Sequence, residues 1–305
     1  TAYEISLGLV GSEMCIRDRI ERYQYLEIEK IWNDQNKFDT WKLVEQKYLE
    51  TLEENNISPS GIAEVIEKTE VLKDEVYERE KITNHDLASF VDILQSKVGD
   101  NSNWIHYGLT SSDVVDTANS LLIKKSLSIT IELLDELLIQ IEAKAKQEMH
   151  TPVVGRTHGV FAETTFLGNI FGNWHQEIKR NRERLEDCVK TISVGKLSGP
   201  VGNHTVVDEN IERTTLKKLG LEAEIFASQV VARDRYAEII TSLAILASSF
   251  ERVATNIRGY QRSEVSELSE PFKDGQKGSS AMPVSYTHLR AHETEADLVC
   301  RLLLE

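Results

Sequence analysis

Apolar residues recur along the chain at intervals of three and four. Trp41, Val44, Tyr48 and Leu52 make one such face, and Leu87, Phe90, Val91, Leu94 and Val98 make another. Between them, Ser58-Pro59 reads as an N-cap followed by proline at the first helical position, which predicts a helix through Ile62, Val65 and Ile66. Short helices are therefore expected before the first long one. From Ser112 to His150 there is neither glycine nor proline. Asp113 and Asp116 stand at the front of this stretch and Lys144, Lys146 and His150 at its back, the charge order that suits a helix macrodipole. At 1.5 Å per residue this is one helix of roughly 55 Å. Beyond Thr151-Pro152 and the link VVGRTHG, Leu167, Phe171, Trp174, Ile178, Leu185 and Val189 mark a second long helix. A Gly/Pro-rich connection, VGKLSGPVGN, precedes a short helix from Asp208 that Gly220 can terminate. A third long stretch, from about Ala232 to Gln261, carries Ile239, Leu243, Leu246, Phe250, Val253 and Ile257. No strand-like alternation of any length is visible, and no internal repeat. The expected fold class is all-α: a small helical N-terminal domain over 20–111, then a long-helix bundle over 112–283.

Composition narrows the partners. With 305 residues, 40% of them hydrophobic and 28% charged, the chain can bury a sizeable core, so collagen-like and disordered classes are excluded. No apolar run approaches the roughly 20 residues of a membrane-spanning helix. Against 50 acidic residues stand 35 Lys and Arg, and a net charge of −15 argues against nucleic acid as a partner. An anionic ligand would need a locally cationic pocket. Cys15, Cys188 and Cys300 are too far apart for a metal-ligand spacing, and they suggest reduced thiols in a cytoplasmic protein. No P-loop, strand-borne GxGxxG, HExxH or CxxC motif is present.

The ends stand apart. Residues 1–19 have an apolar centre, but Glu4 precedes it and no small-residue cleavage site follows, so a secretory signal is not expected. This stretch and the tail 284–305 resemble adapter-derived segments that end many unrelated translations, and both are set apart from the fold.

Chemistry is expected where short links bring helix ends together. Four links carry reactive side chains. ITNHDLAS holds His85 and Asp86 at a helix start, where a capping role is the plainer reading. In WIHYGLTSSDVVDTA, His106 precedes Thr110, Ser111 and Ser112, whose hydroxyls and unpaired backbone N–H groups suit a carboxylate or phosphate, although Ser and Thr are favoured caps in any case. VVGRTHGVFAETT sets Arg156, Thr157 and His158 between glycines; an anion-binding Arg with an acid–base His competes here with a buried structural His beside an exposed Arg. FKDGQKGSSAMP, Phe272 to Pro283, reads as a mobile lid with an activated serine or as a plain flexible linker.

Taken together and in order, IERY, NHDL, HYGLTSSDVVDTA, GRTHGV, VGKLSG, QVVARDR and GQKGSSAMP resemble the adenylosuccinate lyase family of the fumarase/aspartase superfamily, over essentially all of 20–283. The resemblance implies a homotetramer whose active sites are shared between subunits. It implies elimination of fumarate from a succinyl-purine nucleotide, with no metal or organic cofactor. By motif position His158 is the general acid, His85 lends charge and orientation, and Ser279 is the base, with Ser280 the second candidate. Thr110, Ser111 and Thr157 would hold succinyl carboxylates, Gln229 would hydrogen-bond the substrate, and Arg22 and Tyr23 would meet the nucleotide phosphate. His106 and Asp86 are further substrate contacts. Other lyases and cycloisomerases of the superfamily, such as argininosuccinate lyase, fumarase and carboxymuconate cycloisomerase, are the alternative enzymes. A non-catalytic helical scaffold is the alternative of another class.

The sequence departs from the family pattern in places. Ser285 and Thr287 occupy the Lys and Asn positions of x-Lys-x-Asn-Pro, and the family sequence beyond them is missing, so the chain is expected to be C-terminally truncated and inactive by itself. Phe161 stands where many relatives have His, Thr164 where proline is usual, and Asn84 where Arg is common.

Overall fold

The computed structural model describes residues 25–269. Helix α1 (Leu26–Trp32) leads into α2 (Asp34–Glu54), whose N-cap Asn33 accepts a hydrogen bond from the Asn36 N–H at 2.8 Å. The three-and-four spacing of α2 turns Phe38, Trp41, Val44, Tyr48, Leu49 and Leu52 inward, all buried. Each such side chain contributes on the order of 1.5–3 kcal/mol through the water it sheds. Phe38 meets Trp41 edge-on with centroids 5.3 Å apart and stacks on Phe90 at 6.2 Å.

Helix α3 (Ile62–Lys68) starts three residues later than Ser58-Pro59 would have it. Gly61, at φ +98°, is its N-cap, and the free N–H of Ala63 is taken by the Glu53 carboxylate at 2.7 Å. Helix α4 (Lys73–Thr83) stops at Asn84, whose φ of +52° is the left-handed conformation that asparagine tolerates, so this departure from the family's common Arg has a local structural role. Then come α5 (Asp86–Val98), a single 3-10 turn (Ser102–Trp104) and α6 (Ser111–Gln147), 37 residues long, close to the expected 55 Å helix.

The link after α6 forms a short hairpin that the sequence pattern does not show, within a mostly helical structure. Strand β1 (Pro152–Thr157) pairs antiparallel with β2 (Val160–Phe166). The alternation is faint because β2 is exposed on both faces, with the neighbouring Val160 and Phe161 both solvent-facing. Opposite Gly155 the register slips, so that Ala162 and Glu163 face one residue. A side chain at 155 would meet the Glu163 carbonyl oxygen at 2.6 Å, so the bulge requires glycine. Helix α7 (Leu167–Ile192), a two-residue parallel pairing of β3 (Val194–Gly195) with β4 (Glu222–Ala223), the intervening α8 (Glu209–Lys218) and finally α9 (Asp234–Tyr260) follow. Asp208 caps α8 by accepting from the Asn210 N–H at 2.8 Å, and Gly220 follows its end at φ +71°, as the sequence suggested.

The described residues form two compact units: one comprises residues 25–126 and 193–232, the other 127–192 and 233–269. In the first, the α2 face packs with Ile66, Val76, Leu87, Phe90, Leu94, Leu197 and Leu216. In the second, Leu134, Leu137 and Ile141 of α6, Trp174, Ile178 and Leu185 of α7, and Leu246, Phe250 and Val253 of α9 are buried. Asn181 donates to Ser249 at 2.8 Å inside that packing, and an Arg182–Asp135 ion pair joins α7 to α6. Cys188 is a buried free thiol on α7. Among the described residues no helix is long and apolar enough to cross a membrane.

Candidate active site

In the first unit the candidate residues gather at the start of α6. His85 is the N-cap of α5: its Nδ1 accepts from the Ala88 N–H at 3.3 Å, which makes Nδ1 an acceptor and leaves Nε2 to face outward. That Nε2 lies 3.4 Å from the Ser111 hydroxyl. One nitrogen of His85 thus caps a helix while the other faces a hydroxyl. Asp86 accepts from the Leu87 N–H at 2.7 Å and sits 3.9 Å from Lys37.

Ser111 opens α6, so the free N–H groups of the first turn and the positive end of the helix dipole lie beside it. The turn before it is fixed by two carboxylates. Asp113 takes the Thr110 N–H at 2.8 Å, and Glu45, fully buried on α2, takes the His106 N–H at 3.0 Å and reaches its Nδ1 at 2.7 Å. Burial works against the His106 imidazolium, but the Glu45 hydrogen bond and the charges of Glu45 and Asp113 outweigh it and hold the ring above its ordinary value. Asp113 is raised by burial, against the opposing charge and hydrogen bond of Lys196. Gln229 lies exposed on the loop between β4 and α9 of this unit.

In the second unit, Thr157 ends β1 and His158 occupies the turn. His158 and Gly159 both have positive φ, +55° and +76°, as a two-residue type I′ hairpin demands. His158 is exposed, the reverse of a buried structural histidine. Arg156 is engaged within the protein instead: its Nη1 meets both Glu267 carboxylate oxygens at 3.0 and 2.9 Å, and its guanidinium lies 5.5 Å from the Phe161 ring. Phe161 is therefore a stacking partner, and Thr164 sits in the β2 ladder opposite Val154, where proline would lack an N–H. Arg22, Tyr23, Ser279, Ser280, Ser285 and Thr287 lie outside the described residues.

Sequence reading passed over Glu45, Lys196 and Glu267. Glu45 had a signal: it is a lone carboxylate at helical spacing within the Trp41, Val44, Tyr48 face. Glu267 had none, since its partner is 111 residues away.

Comparison with known proteins agrees with the motifs. A family model described as "Lyase" matches residues 25–284. The chain is 43% identical over 265 residues to a protein of Thermotoga maritima named adenylosuccinate lyase, and 42% identical over 265 residues to one of Bacillus subtilis with the same name. Each alignment takes in 87% of this chain but 62% of the relative, so the chain spans less than two thirds of their length. Among solved structures, the 3-carboxy-cis,cis-muconate lactonizing enzyme of Pseudomonas putida superposes with a TM-score of 0.78 at 18% identity, over 92% of this chain and 73% of that one, a likeness of fold.

Proposed function

We propose that this chain, which belongs to the lyase family, has an adenylosuccinate lyase as its natural gene product. It eliminates fumarate from adenylosuccinate to give AMP, and from the succinyl-carboxamide ribotide of purine synthesis. The observation that carries this reading is the match, over most of the chain, to two proteins named for that activity.

The geometry supports the chemistry. A base removes a proton from the carbon next to a succinyl carboxylate, and the electron pair of that C–H bond becomes the double bond of fumarate. The C–N bond breaks, and the departing nitrogen keeps its electron pair and gains a proton. Negative charge builds on the carboxylate, so donors must already stand around it. Ser111 and Thr110 at the head of α6 supply such donors, and Thr157 supplies another. His158, exposed at a tight turn, suits the role of acid towards the nitrogen. His85, anchored through Nδ1, presents Nε2 beside Ser111 and orients that hydroxyl. Ser279 is assigned as the base, with Ser280 next to it. Gln229 hydrogen-bonds the substrate, Arg22 and Tyr23 receive the nucleotide phosphate, and His106 and Asp86 make further contacts. The working form is a cytoplasmic homotetramer with sites shared between subunits.

The test is a substrate panel on the natural gene product: adenylosuccinate against argininosuccinate, malate and carboxymuconate. Turnover confined to the purine substrate is expected, and His158→Ala should lower kcat by about a hundredfold or more with the fold intact. Turnover of another panel member alone, or near-normal turnover in the variant, would overturn the assignment.

A further inference from the structure

Glu45 is a carboxylate with no solvent exposure, on an α2 face otherwise made of Trp41, Val44, Tyr48 and Leu49. Such a group is costly unless its oxygens are matched. Here both oxygens serve a single residue, Oε2 the His106 N–H and Oε1 the His106 Nδ1. That residue has a left-handed backbone, φ +63°, which a non-glycine residue adopts only when its surroundings enforce it. We propose that Glu45 is a positioning residue, which fixes the His106 backbone and keeps its imidazole charged so that Nε2 presents an N–H to an anionic group of the substrate. The proposal rests on the lyase reading above and adds to it a residue that touches no substrate.

The chemistry follows from the acceptor character of a carboxylate. It places a proton on Nδ1, so a neutral ring would leave Nε2 a bare acceptor, repelling an anion, and only the imidazolium makes Nε2 a donor. The groups around the ring favour that form. From α2 come Glu45 and Tyr48, whose hydroxyl is spent on the Tyr107 carbonyl at 2.7 Å and is held uncharged, its pKa raised by burial and the nearby carboxylates. From α6 comes Asp113, matched in turn by Lys196 of the link after α7. Among the described residues Nε2 of His106 makes no hydrogen bond. In a chain of net charge −15 this is a local cationic donor of the kind an anionic ligand needs.

The experiment compares the natural gene product with its Glu45→Gln variant by histidine NMR titration and by steady-state kinetics across pH. The His106 ring should titrate at least about one pH unit lower in Glu45→Gln. KM for adenylosuccinate near neutral pH should rise about tenfold, with kcat changed less than about threefold. His106→Asn, which keeps a residue tolerant of the left-handed backbone, should raise KM comparably, and adding Glu45→Gln to it should raise KM no further. An unmoved ring titration, a moved titration with unchanged KM, or normal KM in His106→Asn would each overturn the proposal. Absence of adenylosuccinate turnover would sink the lyase reading instead, and the ring titration on the same protein would still decide the link between Glu45 and His106.

Discussion

Lys196 and Asp113 form an ion pair in which neither side chain reaches solvent. The Lys196 ammonium also donates to the Gly199 carbonyl at 2.6 Å, while Oδ2 of Asp113 accepts from the N–H groups of Thr110 at 2.8 Å and Gly199 at 3.1 Å. One carboxylate thus joins the link after α7 to the first turn of α6. Removing one partner leaves a buried charge unmatched, which is worse than removing both. Lys196→Met is expected to destabilise the protein by about 3–5 kcal/mol in urea unfolding, and Asp113→Asn added to it to restore part of that loss.

The raised His106 pKa makes stability depend on pH. A histidine that binds its proton more tightly when folded contributes in full below its unfolded value, 6.5, and that contribution is lost as pH rises through the higher folded value. Denaturant midpoints should therefore fall as pH rises from about 6.5 into the alkaline range. Glu45→Gln should flatten this slope, and a persistent slope would assign it to another group.

Gly155→Ala places a methyl group against the Glu163 carbonyl oxygen at 2.6 Å. The bulge must open, at a cost of about 1–3 kcal/mol, the usual penalty for overfilling a packed position. Amide exchange in 152–166 should quicken and kcat should fall with His158 displaced, while exchange in α2 stays unchanged.

Arg156 holds the hairpin to the segment after α9 through Glu267. In Arg156→Ala or Glu267→Gln, exchange protection across β1 and β2 should drop, and the double variant should resemble either single one. Additive losses would mean that the two side chains act separately.

Much of the helical architecture was legible because burial imposes its period on the sequence: Trp41 to Leu52 and Leu167 to Val189 point at their cores by spacing alone. The hairpin was not, since Val160, Phe161 and Phe166 lie on exposed positions and β2 lacks the alternation that a half-buried strand writes. The Ser58-Pro59 start failed because Gly61 took the cap position and the Glu53 carboxylate took the Ala63 N–H instead. The return of the link after α7 to the first unit rests on pairs such as Lys196 with Asp113 and Val231 with Asp116, 83 and 115 positions apart, a separation that local pattern cannot register. Of the candidate site, His85, His106 and Ser111 stand out in motifs, whereas Glu45 shows only as a lone acid in an apolar face and Asp113 as a first-turn acid, because the partners His106 and Lys196 lie 61 and 83 positions away.

With His158 in its proposed role as acid, its positive φ sets folding and chemistry against each other at one codon. Glycine and asparagine fit that backbone with less strain than histidine, yet neither can hand over a proton near neutrality. A saturation library at position 158 sorted for yield should therefore drift towards those two residues, and the same library sorted for catalysis should drift back to the imidazole.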